Sequence, residues 1–353
     1  MRIIYTEEKT QQGAMESVRE YVTKKGVIRY FLRTFGCQMN EHDSELLRGM
    51  LSGMGFLPTD EPEEADLILF NSCAVRENAQ QRVFGNIGRL KSLKEERKDV
   101  IIGLCGCMAE QPKVQETLHA HYPYVSLAFG PHHLYRLPSL LHRLLNSGES
   151  KIFLQESGQY AVVESMPQER APGVKAYVNI MEGCDNFCSY CIVPYTRGRE
   201  RSRRSEDIVA EITSLVQEGF REVMLLGQNV NSYGKGLEDP IDFADLLEKV
   251  SRVEGLWRIR FMTSHPKDLS DRVIQVMAAR KNIMPSLHLP VQNGSNRLLK
   301  KMNRKYTRED YLSLVERLRT AIPDITLTTD IIMGFPGEEE QDVLDTIDRS
   351  EER

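Results

Sequence analysis

Three thiols stand within eight residues at Cys184, Cys188 and Cys191, in a C-x3-C-x2-C spacing directly after the apolar run 174–181. A structural zinc ion takes four protein ligands in a closed tetrahedron, whereas a [4Fe-4S] cube held at three corners keeps one iron open. The neighbours supply no obvious fourth ligand. Asp185 and Tyr190 are poor partners for a thiolate-rich site, and the nearest downstream histidine, His265, is remote in sequence. The spacing therefore points to a cluster with an open iron, and a zinc knuckle or a chance cluster of cysteines is the competing reading.

The elements that must position such a loop follow from hydrophobic patterning. The chain has 353 residues, 41% of them hydrophobic and 27% charged, enough for about two domains that each bury a core. It contains no run of about 18 apolar residues, and its first 25 residues are too polar for a signal peptide, so a cytoplasmic location is expected. Seven cysteines in such a chain argue for metal or redox chemistry over disulfides. A net charge of −5 excludes a globally basic nucleic-acid binder and leaves local charge to be considered.

Residues 1–26 lack a strong period and read as a mobile extension with one helix over 13–24. Strand and helix patterns then alternate: strands at 27–33, 66–71, 100–104 and 125–129, with helices at 44–54, 77–96, 111–121 and 134–145. This alternation implies a parallel α/β sheet over 27–145. Residues 146–173 are rich in turn formers and read as a linker with an edge hairpin. Alternation resumes over 174–353, with strands at 175–181, 222–226, 257–262, 286–289 and 325–333. The expected helices there are 205–218, 243–253, 271–280, 295–302, 308–320 and 338–348.

Cys37, Cys73 and Cys107 each follow a strand of the first set. Loops at the carboxyl ends of an open parallel sheet converge on one crevice, so these three thiols are expected to meet as a second trio. Cys105, two residues before Cys107 at the end of a strand, shares its sheet face by alternation and reads as a small buried apolar residue. Arg197, Arg199, Arg201, Arg203 and Arg204 leave the second cysteine loop directly. Guanidinium groups at this density can clamp phosphate or carboxylate bidentately, so RNA or cofactor-carboxylate contact is expected over a merely solvated face.

Several motifs together resemble the MiaB-type tRNA methylthiotransferases of the radical S-adenosylmethionine (SAM) superfamily. They are Gly36-Cys37-Gln38-Met39-Asn40, Asn71-Ser72-Cys73-Ala74-Val75-Arg76-Glu77-Asn78, Gly106-Cys107-Met108-Ala109, the loop 184–191 with 193–202, and Gly227-Gln228-Asn229-Val230. The resemblance runs from about Arg29 to the end of the chain. It implies an N-terminal α/β sheet domain with an auxiliary [4Fe-4S] cluster on Cys37, Cys73 and Cys107. A (β/α)6-type partial barrel would follow, holding the radical cluster on Cys184, Cys188 and Cys191. It also implies SAM as cofactor, with Gly227, Gln228 and Asn229 near its methionine amino group. Ser264, His265, Gln292 and Asp330, at carboxyl ends of barrel strands, are further candidate contacts. The implied reaction converts N6-isopentenyladenosine beside a tRNA anticodon to its 2-methylthio derivative. Its partners would be that tRNA and a one-electron donor such as flavodoxin or ferredoxin, with the sulfur donor unassigned and no membrane involved.

Against this family pattern the chain stops at Arg353, before a sixth barrel strand and without the β-rich TRAM module. A C-terminally truncated chain is therefore expected, with an exposed parallel edge, reduced tRNA affinity and weak or absent turnover. Two competing readings are a methylthiotransferase acting on a ribosomal protein aspartate and a non-catalytic iron-sulfur electron-transfer protein. The stretches 194–201 and 288–292 favour the tRNA enzyme over the first. Formation of 5'-deoxyadenosine distinguishes it from the second.

Overall fold

The computed structural model describes residues 4–5, 8–74, 77–154, 161–162 and 166–351. Val75 and Arg76 of the second motif, and residues 155–160 and 163–165 of the expected linker, lie outside the described residues. The chain forms two compact units, one of residues 1–171 with 195–197 and the other of 172–194 with 198–353.

The first unit comprises α1 (Glu8–Lys25), β1 (Arg29–Phe35), α2 (Gln38–Gly53), β2 (Leu57–Pro58), β3 (Leu67–Ser72), α3 (Glu77–Arg89), α4 (Lys91–Glu96), β4 (Ile101–Cys105), α5 (Pro112–His121), β5 (Leu127–Phe129), α6 (Leu137–Asn146) and β6 (Ile152–Leu154). Its sheet runs in the order β2-β1-β3-β4-β5-β6, every pairing parallel. Every residue of β3 is buried. Leu67 and Leu69 enter one core with Leu47, Leu51 and Leu141, while Ile68 and Phe70 enter the other with Val83, Ile87 and Leu118. A strand covered on both faces reads as a continuous apolar run for this reason.

Three expectations are corrected here. Residues 1–26 are not simply a mobile extension, because α1 places Val18 and Val22, one helical turn apart, in the core that also holds Leu140 and Leu141 of α6. Asn146 also donates from Nδ2 to Ser17 Oγ at 2.9 Å. With Met15 packed on the same core, the apolar positions 15, 18 and 22 form a narrow stripe in an otherwise polar helix. Second, Ile152–Leu154 of the expected linker is the sixth parallel strand, since a segment returning from β5 through α6 arrives in the parallel direction, while the residues 155–160 and 163–165 on which the edge hairpin would fall lie outside the described residues. Third, the single helix expected over 77–96 is broken at Leu90, a buried residue that separates α3 from α4.

The second unit comprises β7 (Lys175–Asn179), α7 (Ser205–Gln217), β8 (Glu222–Leu226), α8 (Phe243–Ser251), β9 (Arg258–Phe261), α9 (Asp271–Ala279), β10 (Ser286–His288), α10 (Asn296–Lys301), α11 (Arg308–Ala321), β11 (Thr326–Thr328) and α12 (Glu340–Glu351). Strands β7, β8 and β9 are parallel with β8 central, β10 and β11 form a second parallel pair, and an Ile259 to Ile283 bridge extends the arc between them. Alternate residues Ala176, Val178, Val223, Leu225, Ile259 and Phe261 pack with Ile212, Leu247 and Ile274 in one core. The other strand face carries polar groups, including the Arg260 to Glu222 ion pair at 3.1 Å. The buried Met224 and Leu226 share that face. The strand expected over 325–333 is confined to Thr326–Thr328, followed by a bridge from Gln292 to Ile331. Met333, Leu344 and Ile347 beyond it are exposed.

Candidate functional site

The first unit brings Cys37, Cys73 and Cys107 together. The chain passes from β1 outward to β2 and then crosses back to β3, so the carboxyl ends of β1 and β3 flank the crevice where strand order reverses. Phe35 pairs with Ser72, and Cys73 N donates to Phe35 O at 2.8 Å, so the residues just beyond both strands are neighbours. Cys37 is the N-cap residue of α2, and its thiol is hydrogen-bonded with Cys73. Cys107 enters from the turn after β4, fixed by Met108 N donating to Ser72 O at 3.0 Å. It feels the charge of Cys37.

That turn requires glycine at position 106. Its φ is +87°, and a Cβ there would lie 2.3 Å from Asn71 Oδ1 and 2.8 Å from Ser72 O. The left-handed residue also ends the alternation that would have kept Cys105 and Cys107 on one face. Cys105 is wholly buried in the apolar core, where burial raises its pKa, whereas Cys107 is in neither core cluster of the sheet.

Two buried asparagines brace the crevice. Asn71 Nδ2 donates to Asn40 O and to Ser44 Oγ, both at 2.9 Å, and Asn40 Nδ2 donates to Asn71 Oδ1 at 3.2 Å. Asn40 Oδ1 in turn accepts from Cys37 N at 3.3 Å. The Cys37 thiol is lowered to about 5, first by the hydrogen bond with Cys73, then by the Asn40 N–H at the helix start and the charge of Arg197, which together outweigh burial. Burial pushes Cys107 up, against the pull of Arg197.

In the second unit Cys184, Cys188 and Cys191 occupy one loop, and Cys184 feels the charge of both others. Gly183 turns the chain into it with φ +78°, where a Cβ would fall 2.1 Å from Arg199 O. Cys184 N donates to Gly198 O at 3.1 Å, and Cys191 N to Cys188 O at 2.9 Å. The loop is held from below by Asn303, whose Nδ2 donates to Asn186 O at 3.2 Å and Phe187 O at 2.9 Å. Arg304, only 4% exposed, donates to Cys188 Sγ and Tyr190 Oη, each at 3.4 Å, and to Pro290 O at 3.1 Å. Burial lifts Cys184 to about 11. Sequence reasoning missed Arg304 and Asn303, since both sit in a basic stretch that reads as solvated surface.

Among the described residues no three His, Cys, Asp or Glu side chains make a ready cage for a single metal ion. Three thiols suit a [4Fe-4S] cube, in which each thiolate takes its own iron.

Orphaned polar atoms mark the carboxyl ends of β7, β8 and β9. Asn179 Oδ1, Asn229 Oδ1, Ser264 Oγ and His265 Nε2 are buried without a hydrogen-bond partner. Buried polar groups without partners cost stability, so a ligand is the expected complement. His265 Nδ1 accepts from Lys267 N at 3.3 Å, which places the proton of the neutral ring on Nε2. Burial, reinforced by the charge of Arg304, lowers His265 to about 3. Asn229 Nδ2 donates to Asp268 Oδ2 at 2.7 Å. Gly227 is buried, and Gln228 Oε1 accepts from Gly183 N at 2.5 Å, tying this strand end to the cysteine loop. Tyr306 meets the His265 ring edge-on at 5.6 Å and donates to Val291 O at 2.8 Å, beside Gln292. Gln292 N donates to Asp330 O at 2.9 Å, while the exposed Asp330 carboxylate lies 3.4 Å from His288 Nε2.

The arginine run departs from expectation. Arg197 and Arg201 are 3% and 2% exposed and paired with Asp43 and Glu182. Arg203 bonds Glu211 at 2.7 Å and Asn179 O at 2.6 Å. An RNA or cofactor-carboxylate clamp by these three is therefore corrected to internal ion pairing, because each has a carboxylate within the fold. Arg199 keeps half its side chain in solvent, 3.0 Å from Asp185 and over the Phe187 ring. Arg204 is also exposed, with Asp207 at 2.7 Å.

Residues 178–349 match the model of the radical SAM superfamily, and residues 29–130 match a family described as uncharacterized protein family UPF0004. The radical SAM methyltransferase TsrM from Kitasatospora setae superposes with a TM-score of 0.62 at 15% identity, over 91% of this chain and 70% of that one. The cobalamin-dependent SAM radical enzyme OxsB gives 0.62 at 14%, over 92% and 51%. Fold and site thus define a radical SAM protein. Sequence relatives narrow this further. A tRNA-2-methylthio-N(6)-dimethylallyladenosine synthase of Alkaliphilus oremlandii is 53% identical over 96% of this chain and 72% of its own length. Those of Clostridium perfringens and Caldicellulosiruptor saccharolyticus are 55% and 53% identical, over 92% and 98% of this chain and 72% and 74% of theirs. The chain belongs to the tRNA-2-methylthio-N(6)-dimethylallyladenosine synthase family.

Proposed function

We infer that this protein is a radical SAM methylthiotransferase that converts N6-isopentenyladenosine in tRNA to its 2-methylthio derivative, using SAM and iron-sulfur chemistry. In our reading the modified nucleoside lies beside the anticodon, the cluster count is two, and a one-electron donor such as flavodoxin or ferredoxin serves the chain in the cytoplasm. No described helix is long and apolar enough to cross a membrane. The observation that supports the two-cluster reading is that the thiols interact in two sets, Cys37 with Cys73 and with Cys107, and Cys184 with Cys188 and Cys191.

When bound, the clusters and SAM supply one-electron reduction, radical formation and sulfur. The chain's own residues do the rest. Cys184, Cys188 and Cys191 would hold the radical cluster, with Arg304 bracing their loop. The buried acceptors Asn179 Oδ1 and Asn229 Oδ1 suit the amino group of an amino acid moiety, and the donors Ser264 Oγ and His265 Nε2 suit its carboxylate. Keeping His265 neutral leaves it a fixed donor across the physiological range. Cys37, Cys73 and Cys107 would hold the auxiliary cluster against the Asn40 and Asn71 brace.

Iron and acid-labile sulfide per chain after anaerobic reconstitution test this reading. The intact chain should contain two cubes, and the Cys184→Ala, Cys188→Ala, Cys191→Ala variant one. A single cube in the intact chain would overturn the two-cluster reading, and tRNA left without methylthiolation by the reconstituted protein would count against the activity.

A further inference from the structure

Arg197 is not used by the reading above, yet it is built into the first trio. Its Nη2 meets Asp43 Oδ2 at 2.6 Å and its Nε donates to Cys107 Sγ at 3.3 Å. Both charged side chains are almost wholly buried, at 3% and 2% exposure. A buried ion pair contributes weakly to stability compared with apolar packing, so stability alone is a poor reason for it here. The planar guanidinium is oriented by the carboxylate so that Nε is aimed at sulfur, an arrangement that a flexible ammonium would not reproduce. Hydrogen bonds to cluster sulfurs and nearby positive charge favour the more negative, reduced state of an iron-sulfur cluster, and so raise its potential. Asp43, close behind, opposes the charge while fixing the geometry.

We propose that Arg197 and Asp43 form a potential-setting pair for the first-unit cluster, Arg197 raising its reduction potential through Cys107 and Asp43 orienting and moderating that effect. This rests on the reading that Cys37, Cys73 and Cys107 hold a [4Fe-4S] cluster.

The test uses the full chain carrying Cys184→Ala, Cys188→Ala and Cys191→Ala, so that one cluster remains, with its midpoint read by spectroscopic redox titration. Arg197→Met should lower the reduced-to-oxidised ratio at a fixed potential about tenfold, which is about 59 mV for one electron. Arg197→Lys keeps the charge but loses the aimed Nε and should lower it less. Asp43→Asn should move the midpoint the other way, upward. Iron and sulfide are measured for every variant. An unmoved midpoint in Arg197→Met, or a downward shift in Asp43→Asn, overturns the proposal. Where Arg197→Met fails to hold a cluster, the opposed signs of Arg197→Lys and Asp43→Asn decide it. Absence of iron in the starting triple variant would instead remove the cluster assignment itself, and that is seen before Arg197 is touched.

Discussion

The two thiol trios reach the same count by opposite routes. Cys184, Cys188 and Cys191 are neighbours because eight residues cannot separate them far, whereas Cys37, Cys73 and Cys107 meet only because β1, β3 and β4 lie side by side and end together. The local trio needs its loop bent, by Gly183, and propped, by Asn303 and Arg304. The long-range trio needs a sheet and cross-braces between its loops, which Asn40, Asn71 and Arg197 provide. Protonation does not divide so cleanly, since burial raises Cys107 in the long-range trio as it raises Cys184 in the local one, and Cys37 alone of these is lowered. In the long-range trio Cys37 is lowered to about 5 by its hydrogen bond with Cys73, while in the local trio burial raises Cys184 to about 11. Each trio nevertheless has one buried arginine donating to one sulfur.

The sharpest way to break this comparison is to delete each trio in turn. Replacing Cys184, Cys188 and Cys191 by Ala should abolish both 5'-deoxyadenosine formation and methylthiolated nucleoside. Replacing Cys37, Cys73 and Cys107 should abolish only the second. Mass spectrometry of digested tRNA together with chromatography of the cofactor products reads both, and loss of cofactor cleavage in both variants would show that the trios are not separable.

Next in size is the brace of the long-range trio. Arg197→Met removes the guanidinium paired with the buried Asp43 carboxylate and should cost about 3–5 kcal/mol in urea unfolding of the apoprotein. Smaller is an acid effect centred on the second unit. His265 stays neutral in the folded chain down to about pH 3, whereas the unfolded chain protonates it near 6.5. Below pH 6.5 the unfolded state therefore binds more protons and stability falls as pH falls, with no contribution above it. Between pH 7 and 5 this amounts to roughly 2 kcal/mol at most, and His265→Asn should remove that part of the pH slope in urea midpoints. The smallest effect belongs to the exposed Arg199 to Asp185 pair, 53% and 31% exposed. Arg199→Ala should shift stability by about 1 kcal/mol or less. A cost as large as that of Arg197→Met would contradict the distinction drawn between buried and solvated members of the same arginine run.

The alternation of apolar runs is enough to write four of the six strands of the first unit's parallel sheet and most of the second unit, because strand and helix periods are local properties of the chain. Proximity of the second trio is likewise local. That Cys37, Cys73 and Cys107 all follow strands is also visible in sequence, since connections in a parallel sheet return to the same end. Only the tertiary structure decided the rest. Met15, Val18 and Val22 anchor α1, a narrow stripe whose partner, the face of α6, is met only in the folded chain. Arg197, Arg199, Arg201 and Arg203 are alike in sequence, yet burial divides them, because a guanidinium enters a fold only where a distant carboxylate such as Asp43 or Glu182 comes to meet it. Arg304 and the orphaned atoms of Asn179, Asn229, Ser264 and His265 are decided in the same way. Which polar groups face each other depends on contacts across many residues of chain, and no local pattern carries that information.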